Sequence, residues 1–206
     1  MDVENAYSLW APQYDINQNK TRDLEGIALR DLLTNISFNA VLEIGCGTGK
    51  NTQWLIEKAE MVTSVDFSDE MLALAKLKVP PGRVKFIKAD VAHEWSFGNT
   101  MFDLVSFSLV LEHIQNLDFI FQQTTKSLKK EGHVYIGELH PYKQYAGTKA
   151  RFTTDDGIQM VPCFNHHISE FIQAAKKHEL TLVSVEEYFD EDNNEKPRIL
   201  ALIFIK

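Results

Sequence analysis

The chain has 206 residues, 44% hydrophobic and 24% charged, with a formal net charge of −8 at pH 7. Such a length and balance describe one folded domain, 1–206, with a substantial core. The acidic balance argues against broad nucleic-acid binding, which needs a basic face, and the absence of a run of about eighteen apolar residues argues against a membrane span.

In chain order, residues 1–37 read as a helical segment. Arg22–Ile36 carries a helical repeat with Leu24, Ile27, Ala28, Leu32 and Leu33 on one face. Val41-Leu42-Glu43-Ile44 then reads as a buried strand running into Gly45, Gly47 and Gly49 at alternate positions, and a helix is expected over Thr48–Lys58. Met61–Asp66 reads as a second strand, and Ser68 as the N-cap of a helix over Asp69–Val79 that Pro80-Pro81-Gly82 stops. Asp90 follows a third strand, and Leu111-Glu112-His113-Ile114 follows a fourth. Asn116 opens a helix through Leu128, with Gly132 closing it before a fifth strand over His133–Leu139. Ile168–Glu179 is helical, and Leu182–Phe189 and Ile199–Ile205 are strands. This alternation predicts an α/β fold, a mostly parallel sheet with helices on both faces. Residues 140–167 show little periodicity, and connections of that length are often lids or binding loops; a short surface hairpin turning near Gly157 is the alternative.

Glycines after a buried strand bring a ligand directly against the backbone at the carboxyl end of that strand. Asp66 follows them by roughly 20 residues, the spacing at which a carboxylate accepts from ribose hydroxyls. A dinucleotide fingerprint would carry its third glycine at position 50, where this chain has Lys50, and Glu43 is an awkward neighbour for a pyrophosphate. A cofactor without phosphate and with positive charge, such as S-adenosylmethionine, suits the pattern better.

The stretch Val41–Gly49 resembles the first motif of the class I S-adenosylmethionine-dependent methyltransferases of small-molecule type. The resemblance continues through Val65-Asp66-Phe67-Ser68, Phe86-Ile87-Lys88-Ala89-Asp90, Phe102-Asp103-Leu104-Val105-Ser106, Leu111-Glu112-His113-Ile114 and Leu128–His133. Tyr7–Asp15 is similar to the opening segment of many such members. The resemblance implies a Rossmann-like seven-stranded sheet with its last strand antiparallel, residues 1–37 covering the cofactor site, and 140–167 serving as a lid-like substrate insertion. In the place where nucleic-acid amino-methylating members carry an Asn/Asp-Pro-Pro-Tyr-like tetrad this chain reads Ser106-Phe107-Ser108-Leu109, so no nucleic-acid partner is expected.

For the cofactor, the resemblance implies Gly45 and Gly47 against the methionine portion, Glu43 toward its ammonium, Tyr14 and Arg22 toward its carboxylate, and Asp66 on the ribose. Phe67 and Met71 are expected on the adenine faces, Asp90 on its amino group, and the Val91 N–H on its ring. His140 and His113 follow strands whose carboxyl ends face the methyl group, and imidazole titrates in the range a general base needs. Tyr7 and Trp10 of the opening segment, with Tyr145, Arg151, Phe152, His166 and His167 of the insertion, are expected on the substrate side.

Glu138, His140, Cys163, His166 and His167 match no compact zinc spacing, so no metal is expected. Two cysteines cannot build a disulfide framework, and the acidic start Met1–Asn5 does not read as a secretory signal, so a reducing, cytoplasmic setting follows. The expected activity is methyl transfer to a small molecule by in-line displacement, oxygen favoured over nitrogen or carbon, by a monomer or homodimer without membrane contact. A non-catalytic S-adenosylmethionine-binding protein and a nicotinamide-dependent oxidoreductase are the alternatives.

Overall fold

The computed structural model describes residues 2–97, 101–154 and 157–206. Among the described residues nine strands form in chain order: β1 (Ala40–Ile44), β2 (Met61–Asp66), β3 (Val84–Lys88), β4 (Phe102–Ser108), β5 (Leu128–Leu139), β6 (Arg151–Thr154), β7 (Gly157–Met160), β8 (Thr181–Asp190) and β9 (Asn193–Ile205). The helices are α1 (Val3–Tyr14), α2 (Lys20–Leu33), α3 (Lys50–Lys58), α4 (Asp69–Lys78), α5 (Leu117–Ser127), α6 (Pro141–Tyr145) and α7 (Ile168–Lys177). Among the described residues no helix is long and apolar enough to cross a membrane.

Seven strands form one sheet in the order β3-β2-β1-β4-β5-β9-β8. The pairs β1–β2, β2–β3, β1–β4 and β4–β5 are parallel, and β9 runs antiparallel to both its neighbours. The expected seven-stranded, mostly parallel sheet with an antiparallel last strand is therefore observed. Strand alternation divides the core in two. Val41, Leu104, Tyr135 and Ala201 point to one face and pack with Leu29 and Leu33 of α2 and Leu55 of α3. Their neighbours Leu42, Val105, Ile136 and Leu202 point to the other and meet Ile120 and Phe121 of α5 and Phe171 of α7. Burial on both faces explains why the central strands read as continuous apolar runs.

Three details differ from the sequence expectation. On α2 Ile27 is 54% exposed, whereas Leu29 and the carboxyl of Glu25 face inward. The Glu25 carboxyl accepts from Tyr135 Oη at 3.0 Å and from Asn51 Nδ2 at 3.0 Å, so a polar network displaces an apolar residue from the packed face. Gly132 does not end a helix: α5 stops at Ser127, and Gly132 lies within β5, where a Cβ would come within 2.8 Å of the Leu128 side chain. Within residues 140–167, α6 is followed by the antiparallel hairpin β6–β7, with Gly157 at φ +106° on its turn side. That hairpin is anchored by Phe152, stacked on Trp10 of α1 with ring centroids 5.3 Å apart and planes 13° from parallel.

Candidate active site

The carboxyl ends of β1, β2 and β4 meet at a cavity of about 400 Å³ that α1 covers. Its floor is the turn after β1. The amides of Gly45 and Cys46 both donate to Val65 O of β2, at 2.8 and 3.1 Å, and tie the turn to that strand. Gly45 holds φ +71°, and a Cβ there would lie 2.8 Å from Val110. Gly47, at φ +51°, faces open space in which a Cβ would meet nothing within 4 Å. Backbone is thus presented bare to whatever fills the cavity.

Asp66 closes the adjoining side. One carboxylate oxygen accepts from Gly47 N at 2.8 Å and the other from Ser68 N at 3.0 Å, while burial pushes the acid up to about 6. Each oxygen retains acceptor capacity. Phe67, Asp90 and Val91 line the same cavity. The lining includes four acids, Asp2, Glu4, Asp66 and Asp90, and among the described residues no lysine or arginine. Such a wall repels a pyrophosphate and suits a ligand bearing sulfonium and ammonium charge. The chemistry of these side chains therefore fits S-adenosylmethionine and disfavours a dinucleotide.

Three expected cofactor ligands lie elsewhere. Glu43 does not line the cavity; its buried carboxyl accepts from Thr52 Oγ1 at 2.5 Å and Ser64 Oγ at 2.7 Å, binding β1 to α3 and β2, and burial pushes it up to about 7. Met71 of α4 is fully buried and is absent from the lining. Arg22 stands behind Tyr14, its guanidinium 4.5 Å from that ring and donating to Tyr14 O and Asn17 O. Tyr14 itself lines the cavity, and burial pushes its phenol up to about 12.

Of the two expected bases, only His113 is in the cavity. It sits on a 3-10 turn, Leu111–His113, directly after β4. Its Nδ1 is 2.8 Å from Pro162 O, a pure acceptor, so a neutral ring carries its proton there. Nε2 is then an acceptor, and Tyr7 Oη donates to it at 2.9 Å. Burial raises the Tyr7 phenol well above its ordinary value and keeps that proton in place. Glu112 and Cys163 lie close to His113, each offering a polar atom within 4.8 Å of the others. His140 is outside the cavity; its Nδ1 accepts from Tyr142 N at 3.0 Å as the cap of α6, and Nε2 lies 2.9 Å from Glu187. The tight cap requirement of α6, which opens on Pro141, explains that placement.

The 3-10 turn depends on Glu138 of β5. This carboxyl, 1% exposed, accepts from Val110 N at 3.0 Å and Leu111 N at 2.8 Å, with Glu112 N at 3.4 Å. Burial and the nearby Glu112 push it up to about 8.

On the substrate side, Tyr7 lines the cavity, while Trp10, Arg151 and Phe152 border a neighbouring hollow. Tyr145 and His167 pair with each other, Oη to Nδ1 at 2.5 Å, away from both spaces. His166 is 6% exposed with Nε2 2.8 Å from Ile114 O, a structural tie. Asp2, Glu4, Leu109 and Val110 were not expected in the lining. The first two arrive when α1 folds across the sheet edge. Leu109 is brought in by a left-handed turn, φ +55°, whose N–H donates to Gly137 O at 2.8 Å; nothing local in the sequence marks it.

Residues 42–136 match the family model described as a methyltransferase domain. Over 160 residues the chain is 35% identical to a malonyl-[acyl-carrier protein] O-methyltransferase from Priestia megaterium, which covers 71% of this chain and 57% of that protein. Over 125 residues it is 26% identical to a ubiquinone biosynthesis O-methyltransferase from Pelagibacter ubique, covering 61% of this chain and 51% of that one. The chain thus spans little more than half the length of either relative. Its fold is shared by an S-adenosylmethionine-dependent methyltransferase from Mesorhizobium loti, with a TM-score of 0.73 at 19% identity over 87% of this chain and 96% of that one. The N-methyltransferase NodS from Bradyrhizobium japonicum WM9, solved with S-adenosyl-L-homocysteine, gives a TM-score of 0.76 at 17% identity over 100% of this chain and 99% of that one. The matched methyltransferase domain thus carries the glycine turn and Asp66 that wall the acid-lined cavity.

Proposed function

We propose that this chain transfers the methyl group of S-adenosylmethionine to a small-molecule acceptor, with oxygen as the favoured acceptor atom. The observation that carries this reading is the joining of the Asp66–glycine floor and the Tyr7–His113 pair in a single cavity. The O-methyltransferase names of two relatives favour oxygen.

The cofactor supplies an activated methyl on a sulfonium, which in-line attack releases as a thioether. Asp66 would accept from the ribose, the Gly45–Gly47 backbone would hold the amino-acid end near Tyr14, and Phe67, Asp90 and Val91 would receive the adenine. Alignment and exclusion of water account for much of the acceleration in such reactions, with effective molarities on the order of 10⁵ M or more. His113 Nε2 would accept the proton of an attacking hydroxyl, with Tyr7 giving way as the donor. Pro162 O holds the opposite nitrogen and fixes the tautomer.

The test is calorimetric titration with S-adenosylmethionine and S-adenosylhomocysteine, followed by transfer of a labelled methyl group to a panel of hydroxyl acceptors. Binding that Asp66→Ala abolishes, with turnover that His113→Gln lowers by roughly 10² or more, supports the reading. Absence of binding in folded protein refutes it. Binding without turnover across the panel would leave a non-catalytic cofactor-binding role instead.

A further inference from the structure

A second hollow of about 300 Å³ lies against the first, with Tyr7, Tyr14 and Leu109 lining both. Its electrostatic character is the reverse. Five cations line it, Lys20, Arg22, Lys149, Arg151 and Arg198, against the single acid Glu112. In a chain of net charge −8, that gathering is not a sample of the average surface.

Two of the cations are already neutralised: Lys20 pairs with Asp192 at 3.0 Å, and Arg198 with Asp190 at 2.6 Å. Among the described residues no carboxylate pairs with Arg22, Lys149 or Arg151. The one acid among the described lining residues, Glu112, is buried, and burial raises its pKa. The space continues into a lobe lined by Trp10, Arg22, Arg151 and Phe152 with no acid among the described residues. Aromatic walls and a few convergent cations make a pocket for a small, partly apolar anion. The wall it shares with the cofactor cavity carries Tyr7, whose hydroxyl is on His113, so a ligand here has its other end beside the proposed base.

We propose that this cationic hollow is the acceptor site, and that it selects a small acceptor bearing an anionic group, carboxylate or phosphate, held by Lys149 and Arg151. The assignment rests on the methyl-transfer reading above and adds the acceptor's charge class. Arg22 is immobilised on Tyr14 and sets the field of the hollow, while the exposed Lys149 and Arg151 contact the anion from its rim.

Calorimetry on protein loaded with S-adenosylhomocysteine tests this, with three probes: meta-hydroxybenzoate, its neutral amide, and inorganic phosphate. The two side chains are exposed, so a Lys149→Gln/Arg151→Gln double variant keeps the fold, which thermal melting checks; Lys130→Gln, also exposed, serves as control. An anion is expected to bind the native chain and the control, and to weaken by roughly tenfold or more in the double variant as charge-assisted hydrogen bonds are lost. The amide is expected to bind neither. The tighter of the two anions identifies carboxylate or phosphate. Failure of both anions to bind, or equal affinity in the double variant, overturns the assignment. The same titrations on cofactor-free protein read the hollow separately, and S-adenosylhomocysteine affinity reads the cofactor site, so the two readings fail independently.

Discussion

Glu138 offers a test of how the fold presents His113. Its unfolded carboxyl ionises near 4.5, and its folded one near 8, because it is buried and close to Glu112. Between those values the folded chain holds a proton that the unfolded chain has released. The residue therefore lowers stability as pH rises from about 4.5 to about 8, the reverse of a salt-bridged carboxylate. Glu138→Gln cannot ionise, but its carbonyl can still accept from Val110 N and Leu111 N. Urea unfolding of native protein and variant at about pH 5.5 and about pH 8 spans about 2.5 units, at about 1.4 kcal/mol each. The variant should gain about 3 kcal/mol on the native chain over that interval. Glu138→Ala, by contrast, strands the two buried N–H groups of Leu111 and Glu112 at about 1–3 kcal/mol apiece, and should lose both stability and methyl transfer at every pH. Parallel pH profiles for native protein and Glu138→Gln would refute the argument, as would an alanine variant with unchanged stability.

The two turn glycines should separate in the same assay. Gly45→Ala meets Val110 at 2.8 Å as well as an unfavourable φ, whereas Gly47→Ala meets only the backbone penalty of about 1–2 kcal/mol and should unfold at the higher urea concentration of the two. Asp66 is pushed up to about 6, so affinity for S-adenosylhomocysteine should fall as pH drops below that value and the acceptor is protonated; calorimetry across pH 5–8 checks it, and Asp66→Asn should flatten the profile. Removing Phe152 from its stack on Trp10 should cost about 3–5 kcal/mol of stability if the hairpin and α1 form part of the cooperative unit. A double-mutant cycle with Trp10→Ala should show a coupling of about 0.5–1.5 kcal/mol, and additive effects would exclude the stack as the anchor.

Much of the frame was legible because local rules and packing agree. Each central strand is apolar on both faces, so its position needs no partner information. Ser68 and Asn116 cap α4 and α5 as their spacing predicts, accepting from Met71 N at 3.2 Å and Phe119 N at 3.1 Å. Glycine and aspartate at strand ends carry the cofactor motif within a few residues of sequence, and Gly45, Gly47, Asp66, Phe67, Asp90 and Val91 do line one cavity.

Residues whose work depends on distant partners were not legible in the same way. Glu43 and Arg22 carry charge of the right kind near the right place, but buried hydroxyls on α3 and β2 hold one, and the backbone after α1 holds the other. His140 and His113 follow neighbouring strands and look equivalent in sequence. Capping of α6 removes the first from the cavity, while Tyr7 and Pro162, respectively 106 and 49 residues away, orient the second. The sequence determined the sheet and the cofactor floor, since continuous apolar runs and strand-end glycines are local properties of the chain. Only the tertiary structure decided which histidine faces the cavity and where the unpaired cations gather, because both depend on α1 and the β6–β7 hairpin closing over the sheet edge.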